Sequence, residues 1–271
     1  MTISSRDGGG YRKRGYIMEN NYNFTQELTL PSQGLLNPEI PEGKVVQRCM
    51  MVADQKFLSG SNRDPGNSLN QLIQRTITSP ESFDVDNLTL SDTLYLLFKL
   101  RILSYGNTYK FRTRCPECGK KIDITVDLSE IPVDTLEEGY AENLIVELPH
   151  RGDTVYTKIL TNADINYINK EVSRRKKKGQ DVEGLDYLLR IVYSIEKIVL
   201  KKDKEEITHP VDIEKYVSSL TDLDASSIIL ARDSAVFGIA PSIDYVCPEC
   251  RQDIEVGIQF SGNFFRATPI R

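Results

Sequence analysis

Histidine is scarce in this chain, with two in 271 residues, and neither His150 nor His209 stands at a ligand spacing from a cysteine or an acidic motif. Histidine-based metal catalysis and histidine-activated nucleophiles therefore have little to work with, and both residues are expected at the surface. No phosphate-binding loop, His-Glu-x-x-His or nucleophile elbow occurs, so no enzyme activity is expected and no small-molecule substrate is implied. No apolar run approaches the ~18 residues of a membrane span. No secretory signal is read either, which points to a reducing compartment. A formal net charge of −5 argues against a general nucleic-acid binder, while 39% hydrophobic residues suffice for one large or two modest domains.

Against these absences stands one repeated motif. Four of the five cysteines lie in two copies of Cys-Pro-Glu-Cys, at Cys115–Cys118 and Cys247–Cys250. Proline after the first cysteine pre-sets the turn, and the arc aims backbone N–H groups at the thiolates while both sulfurs stay free for a tetrahedral metal. Period-two alternation flanks each knuckle: Tyr109–Arg114 and Lys121–Leu128 around the first, Ile243–Val246 and Asp253–Phe260 around the second. Alternation on both sides of a tight turn reads as a β-hairpin. Two such hairpins clamped by one Zn²⁺ form a zinc ribbon, here with a long insertion between its halves. Four thiolates leave no open coordination position, so the zinc is expected to be structural. Disulfides would leave Cys49 over, and a thioredoxin-like pair lacks its βαβ context. Gly119 suits the left-handed position after the first knuckle; Arg251 in the second predicts a less regular turn.

The fold class is therefore α+β: a zinc-ribbon-like four-cysteine module of two β-hairpins, a long α/β insertion between its halves, and an extended N-terminal arm. Residues 1–27 form the arm, too polar to fold alone. Residues 28–108 hold a Pro/Gly-rich extended stretch, a strand at Lys44–Val52 that takes in Cys49, and helices at about 68–77 and Asn87–Leu103, the second starting near Ser91 and Asp92 and broken at Tyr105-Gly106. Residues 109–130 and 243–271 make the split zinc module. Residues 131–242 make the insertion: hairpins at 142–159 and 195–209, helices at Asn162–Lys178 and Gly184–Ile195, and a helical region Val211–Phe237 broken near Asp222. The basic run Arg174–Lys178 is expected as a solvated helix end rather than a phosphate patch.

Several segments together carry a family resemblance. Leu30-Pro31-Ser32-Gln33-Gly34-Leu35-Leu36, Asp54–Leu58, Asp92, Leu100–Tyr109, the first Cys-Pro-Glu-Cys-Gly and the closing Cys247–Cys250 with Asn263-Phe264-Phe265-Arg266 resemble the baseplate hub subunits of T-even-type contractile-tailed bacteriophages. The resemblance covers residue 28 to the C-terminus. It implies a protein that builds the tail baseplate with other baseplate and tail proteins as partners. Such a protein is made in the host cytoplasm and either stays in the virion or acts as an assembly factor that leaves. Phe264, Phe265 and Arg266 are candidate partner contacts, since aromatics and arginine dominate hot spots, and the two phenylalanines equally suit the chain's own core. The strand Ile254–Phe260 could join a partner's sheet edge. A zinc-ribbon nucleic-acid binder is the other reading, carried by Arg112, Arg114, Lys120 and Lys121 around the first knuckle; Asp244, Glu249, Asp253 and Glu255 around the second oppose it.

Overall fold

A computed structural model of the chain describes residues 24–60, 65–258 and 264–266. Most of the expected arm, residues 1–23, lies outside these, as do 259–263 and 267–271. Within the expected arm, strand pairing already begins at Thr25. Strand β1 (Thr25–Thr29) runs antiparallel to β2 (Lys44–Arg48).

The Leu-Pro-Ser-Gln-Gly turn between them is built on a close glycine pair. A Cβ on Gly34 would stand 2.6 Å from the Gly43 nitrogen, and one on Gly43 would stand 2.8 Å from the Gly34 nitrogen. Both sit at positive φ, 79° and 65°, so only glycine fits without strain. The Leu30 N–H donates to the Gly43 carbonyl at 2.8 Å, which turns Leu30 and Ile40 inward.

Cys49 follows β2 instead of lying in it; its N–H donates to the Phe24 carbonyl. The chain then makes a helix the sequence reading does not contain, α1 (Val52–Gly60), followed by α2 (Pro65–Thr76) and β3 (Ile77–Ser79), which completes a sheet of order β1-β2-β3. Asp54 fixes α1. Its carboxylate is fully buried and accepts from Arg48, Arg75 and the Met51 N–H. Burial opposes its ionisation, yet these donors outweigh it and lower its pKa.

Helix α3 (Leu90–Tyr105) starts at the Thr89 cap, with Asp92 in its first turn, and stops at Gly106. It is buried all round, through Asp92, Thr93, Tyr95 to Phe98, Leu100 and Arg101, rather than along one stripe. The Ser32 N–H donates to Asp92 at 3.0 Å and ties the Leu-Pro-Ser turn to the helix start. At the helix end Arg101 is wholly enclosed. Its guanidinium donates to the carbonyls of Gly106 and Thr108 and lies over the rings of Tyr105 and Tyr109.

Two seven-residue strands follow, β4 (Thr108–Arg114) and β5 (Lys121–Asp127), paired in register from Thr108↔Asp127 to Arg114↔Lys121. The insertion begins with β6 (Val133–Asp134), the short α4 (Tyr140–Asn143) and β7 (Ile145–Glu147) with β8 (Thr154–Thr157) as an antiparallel pair. Helix α5 (Asn162–Lys177) opens with a capping box of Thr161 and Asp164, and α6 (Leu185–Tyr193) follows. Strands β9 (Ile195–Val199) and β10 (Glu206–Ile207) extend the second sheet to the order β10-β9-β8-β7.

The expected helical region is broken just before Asp222 into α7 (Pro210–Val217) and α8 (Asp222–Arg232), the second capped by Thr221 and ending at Arg232, short of the expected Phe237. The return strand β11 (Gly238–Ile239) pairs with β6, so the insertion starts and ends at one place. Strands β12 (Ser242–Val246) and β13 (Asp253–Gly257) close the chain as a second hairpin. Residues 259 and 260 of the expected strand Ile254–Phe260 lie outside the described residues.

The chain is thus mixed α+β with small antiparallel sheets. One apolar core gathers residues from both ends, including Leu30, Phe98, Tyr109, Ile258 and Phe264. A second core, from Leu148 to Ile228, is drawn wholly from the insertion. Asn162 joins the two regions: its side chain donates to the Val85 carbonyl and the Thr93 hydroxyl, each at 2.8 Å.

Candidate metal centre

The hairpins β4-β5 and β12-β13 face each other over a small apolar cluster of Ile122, Ile124, Ile254 and Val256, with Phe111, Ile243 and Tyr245 at its margin. Alternation places these side chains on the inner face of each strand, and the knuckles cap one end. There the sulfurs of Cys115, Cys118, Cys247 and Cys250 converge within 4.8 Å of one another. Cys115 Sγ stands 3.8 Å from Cys250 Sγ, and Cys118 Sγ stands 3.9 Å from Cys247 Sγ. A tetrahedral Zn²⁺ with Zn–S bonds of about 2.3 Å sets its sulfurs about 3.8 Å apart. The donor set fits a soft or borderline divalent metal, and the spacing fits a tetrahedron.

The two knuckles are built alike. In the first, the Cys115 N–H donates to the Lys120 carbonyl and the Gly119 N–H to the Cys115 carbonyl; in the second, Cys247 to Gln252 and Arg251 to Cys247. Arg251 takes φ 60°, close to the 68° of Gly119. The less regular second turn expected from Arg251 does not occur: the hydrogen-bonded arc holds a non-glycine residue in the left-handed region.

Backbone N–H groups also reach the sulfurs. The Cys250 and Glu249 N–H groups hold the Cys247 thiol down to about 7. At Cys250 the Gln252 N–H favours the thiolate, but lost hydration and the sulfurs of Cys247, Cys118 and Cys115 outweigh it and push that thiol up to about 12. Crowded thiolates oppose each other's ionisation, and a divalent cation among them removes that opposition. Outside the cluster, Lys120 pairs with Glu249 at 2.7 Å and links one knuckle to the other.

Three of the four basic residues near the first knuckle, Arg112, Arg114 and Lys120, are engaged locally. Arg112 binds Asp123 through two hydrogen bonds, at 2.6 and 2.8 Å, and Arg114 donates to the Gly119 carbonyl. Of the basic run at the end of α5, Arg174 and Arg175 bind Glu171, and Arg175 reaches across to Glu214 on α7, while Lys176, Lys177 and Lys178 are exposed, as expected of a solvated helix end. His150 and His209 are exposed as expected; the first bonds Thr221 and the second caps α7.

Phe264 and Phe265 are buried, with 0% and 3% exposure, and Phe264 packs edge-on against Phe98 and Tyr109. Both lie in the chain's own apolar core, and Arg266 beside them is exposed. The Asp54 and Arg101 networks are two buried polar centres that residue pattern alone does not expose. Both lie in segments quoted for the resemblance, and there they serve structure.

Residues 23–266 match the model of a family described as T4 bacteriophage base plate protein. No curated protein and no solved structure matches the chain.

Proposed function

Because this chain belongs to the T4 bacteriophage base plate protein family, we propose that it is a structural subunit of a contractile tail baseplate, at or next to the hub, whose two knuckle hairpins are clamped by one Zn²⁺. The observation that carries the metal assignment is the convergence of Cys115, Cys118, Cys247 and Cys250 within 4.8 Å, from two hairpins far apart in sequence. When bound, the metal supplies a closed, redox-inert crosslink. The chain's own residues orient it: backbone N–H groups direct the sulfurs, and Lys120 with Glu249 holds the knuckles in register. The pair of hairpins is then a zinc ribbon split by the insertion 131–242, and the body is a non-catalytic interaction subunit.

Hub placement rests on the residues of the resemblance. Leu30, Ser32, Asp54, Asp92 and Arg101 form the buried scaffold described above, which accounts for their presence as a set. Partner contacts then belong to exposed groups, with Arg266 the remaining candidate of the three named from the sequence. No helix among the described residues is long and apolar enough to cross a membrane.

Elemental analysis of the purified chain, beside antibody detection in purified baseplates, tests the proposal. One zinc per chain and a strong signal in mature particles are expected. Zinc without that signal would make the protein an assembly factor that leaves. No zinc would overturn the metal assignment, as would full zinc retention in Cys115→Ser or Cys247→Ser.

A further inference from the structure

Each pair of sulfurs facing across the knuckles joins an accessible cysteine to an enclosed one. Cys118 is exposed and faces Cys247, which is fully buried; Cys250 is half-buried and faces Cys115, which is 1% exposed. At 3.8 and 3.9 Å these pairs need to close by under about 2 Å to reach a disulfide of about 2.05 Å. The Lys120–Glu249 pair and the apolar cluster between the hairpins hold the knuckles opposite each other independently of any metal.

We infer that the four cysteines form a second kind of staple under oxidation: peroxide converts the zinc site into two disulfides across the knuckles, Cys115–Cys250 and Cys118–Cys247. This rests on the zinc reading above. The Cys118 thiolate attacks one peroxide oxygen; the O–O bond breaks, a sulfenic acid forms, and the departing hydroxide takes a proton to become water. The Cys247 thiolate then attacks that sulfenic sulfur, forming the S–S bond and displacing a second hydroxide, again protonated to water. The same sequence at Cys250 and Cys115 uses a second peroxide. In sum, four thiolates, two peroxides and four protons give two disulfides, four waters and free Zn²⁺. Sulfur is oxidised and peroxide oxygen reduced, and the metal keeps its charge.

The consequence is structural continuity. Disulfides within each Cys-x-x-Cys would leave the hairpins without a covalent link to each other, whereas links across the knuckles keep residues 115 and 250 joined after the metal has gone. A subunit assembled with zinc in a reducing compartment would thus retain its closure in an oxidising medium.

The test uses the zinc-loaded full chain carrying Cys49→Ser, which removes the fifth thiol. Zinc is assayed first, limiting hydrogen peroxide is added, released metal is followed with a metallochromic dye, and disulfides are mapped by mass spectrometry without reduction. About two peroxides per zinc, links 115–250 and 118–247, and a melting transition insensitive to chelator after oxidation are expected. In Cys118→Ser the 115–250 link should form alone. Links within either knuckle, links between chains, or sulfinic and sulfonic acids in place of crosslinks would overturn the inference. Absence of zinc before oxidation would overturn the metal reading instead, and the disulfide map would still decide the pairing.

Discussion

Gly119 and Arg251 occupy the same left-handed position after the two knuckles, at φ 68° and 60°. Exchanging residue types there isolates a backbone effect. A non-glycine residue in this region costs about 1–2 kcal/mol. Glycine in turn loses about 0.5–1 kcal/mol more conformational entropy on folding than alanine. The balance favours glycine by about 0.5–1 kcal/mol at either position. A Cβ at Gly119 would meet nothing within 4 Å, so Gly119→Ala adds no clash to the backbone term. No ion pair involves Arg251 among the described residues, so Arg251→Gly removes little else. Gly119→Ala should therefore lower, and Arg251→Gly raise, the melting temperature of the zinc-loaded chain by about 1–4 °C. Chelator competition should shift in the same directions. A destabilised Arg251→Gly, or two variants moving the same way, would refute the claim that one left-handed turn shapes both knuckles.

Gly34→Ala should destabilise by about 2–5 kcal/mol, because a positive-φ penalty adds to overpacking against the Gly43 backbone; an unchanged melting temperature would show that the turn relaxes freely. Phe264→Ala should cost about 3–5 kcal/mol in the isolated chain, the value for an emptied core site. Loss of assembly with stability intact would instead make Phe264 a partner anchor. Glu171 is held at about 2, below its usual 4.5, first by Arg174 and then by Arg175. A lowered carboxylate contributes stability above about pH 4.5 that is lost as pH falls toward 2, so Glu171→Gln should flatten the melting profile across that window. Equal slopes in both proteins would show that the pairing of Glu171 with Arg174 and Arg175 within α5 contributes nothing to acid stability.

What the residues disclosed depended on whether the cause was local. The hairpins around the knuckles, the Gly106 stop and the end of α5 near Gly179 follow from alternation, glycine and capping chemistry within a few residues of each site. Helix α1 was not legible because its anchor is tertiary: Asp54 draws on Arg75 and Arg48, and Val52 in its first turn is 86% exposed, so no apolar stripe marks it. Helix α3 buries residues around most of its circumference, polar Asp92, Thr93 and Arg101 among them, so its enclosure exceeds what an apolar pattern marks. The two-residue strands β6 and β11 carry no period at all. At the site the four cysteines were named from spacing alone, but the fate of Phe264 and Phe265 was not, because aromatics suit a core and an interface equally. Arg251 misled because residue preference forecasts strain, while the hydrogen-bonded arc decides the geometry.

The long separation between the knuckles looks at first like an obstacle to a shared metal site, since the facing sulfurs are 129 and 135 residues apart. Closing a loop of that length instead of the ~15–20 residues of a simple ribbon adds only about 2 kcal/mol of chain entropy. That is small beside the ~10–16 kcal/mol available from structural zinc. The fold lowers it further. Pairing of Val133 with Ile239 and Asp134 with Gly238 closes the insertion at its own base, and the shared core of Tyr109, Leu128 and Ile258 brings both hairpins to one place. A metal bound among the four cysteines would then join hairpins that are already neighbours. Removing such a metal should consequently loosen the knuckle end while the insertion's own core, from Leu148 to Ile228, keeps its packing. Hydrogen exchange on the zinc-loaded and chelated chain reads this directly. Exposure confined to residues around 110–125 and 243–257 supports the order of events, and simultaneous exposure of α6 and β9 would mean that the metal builds the fold rather than locking it.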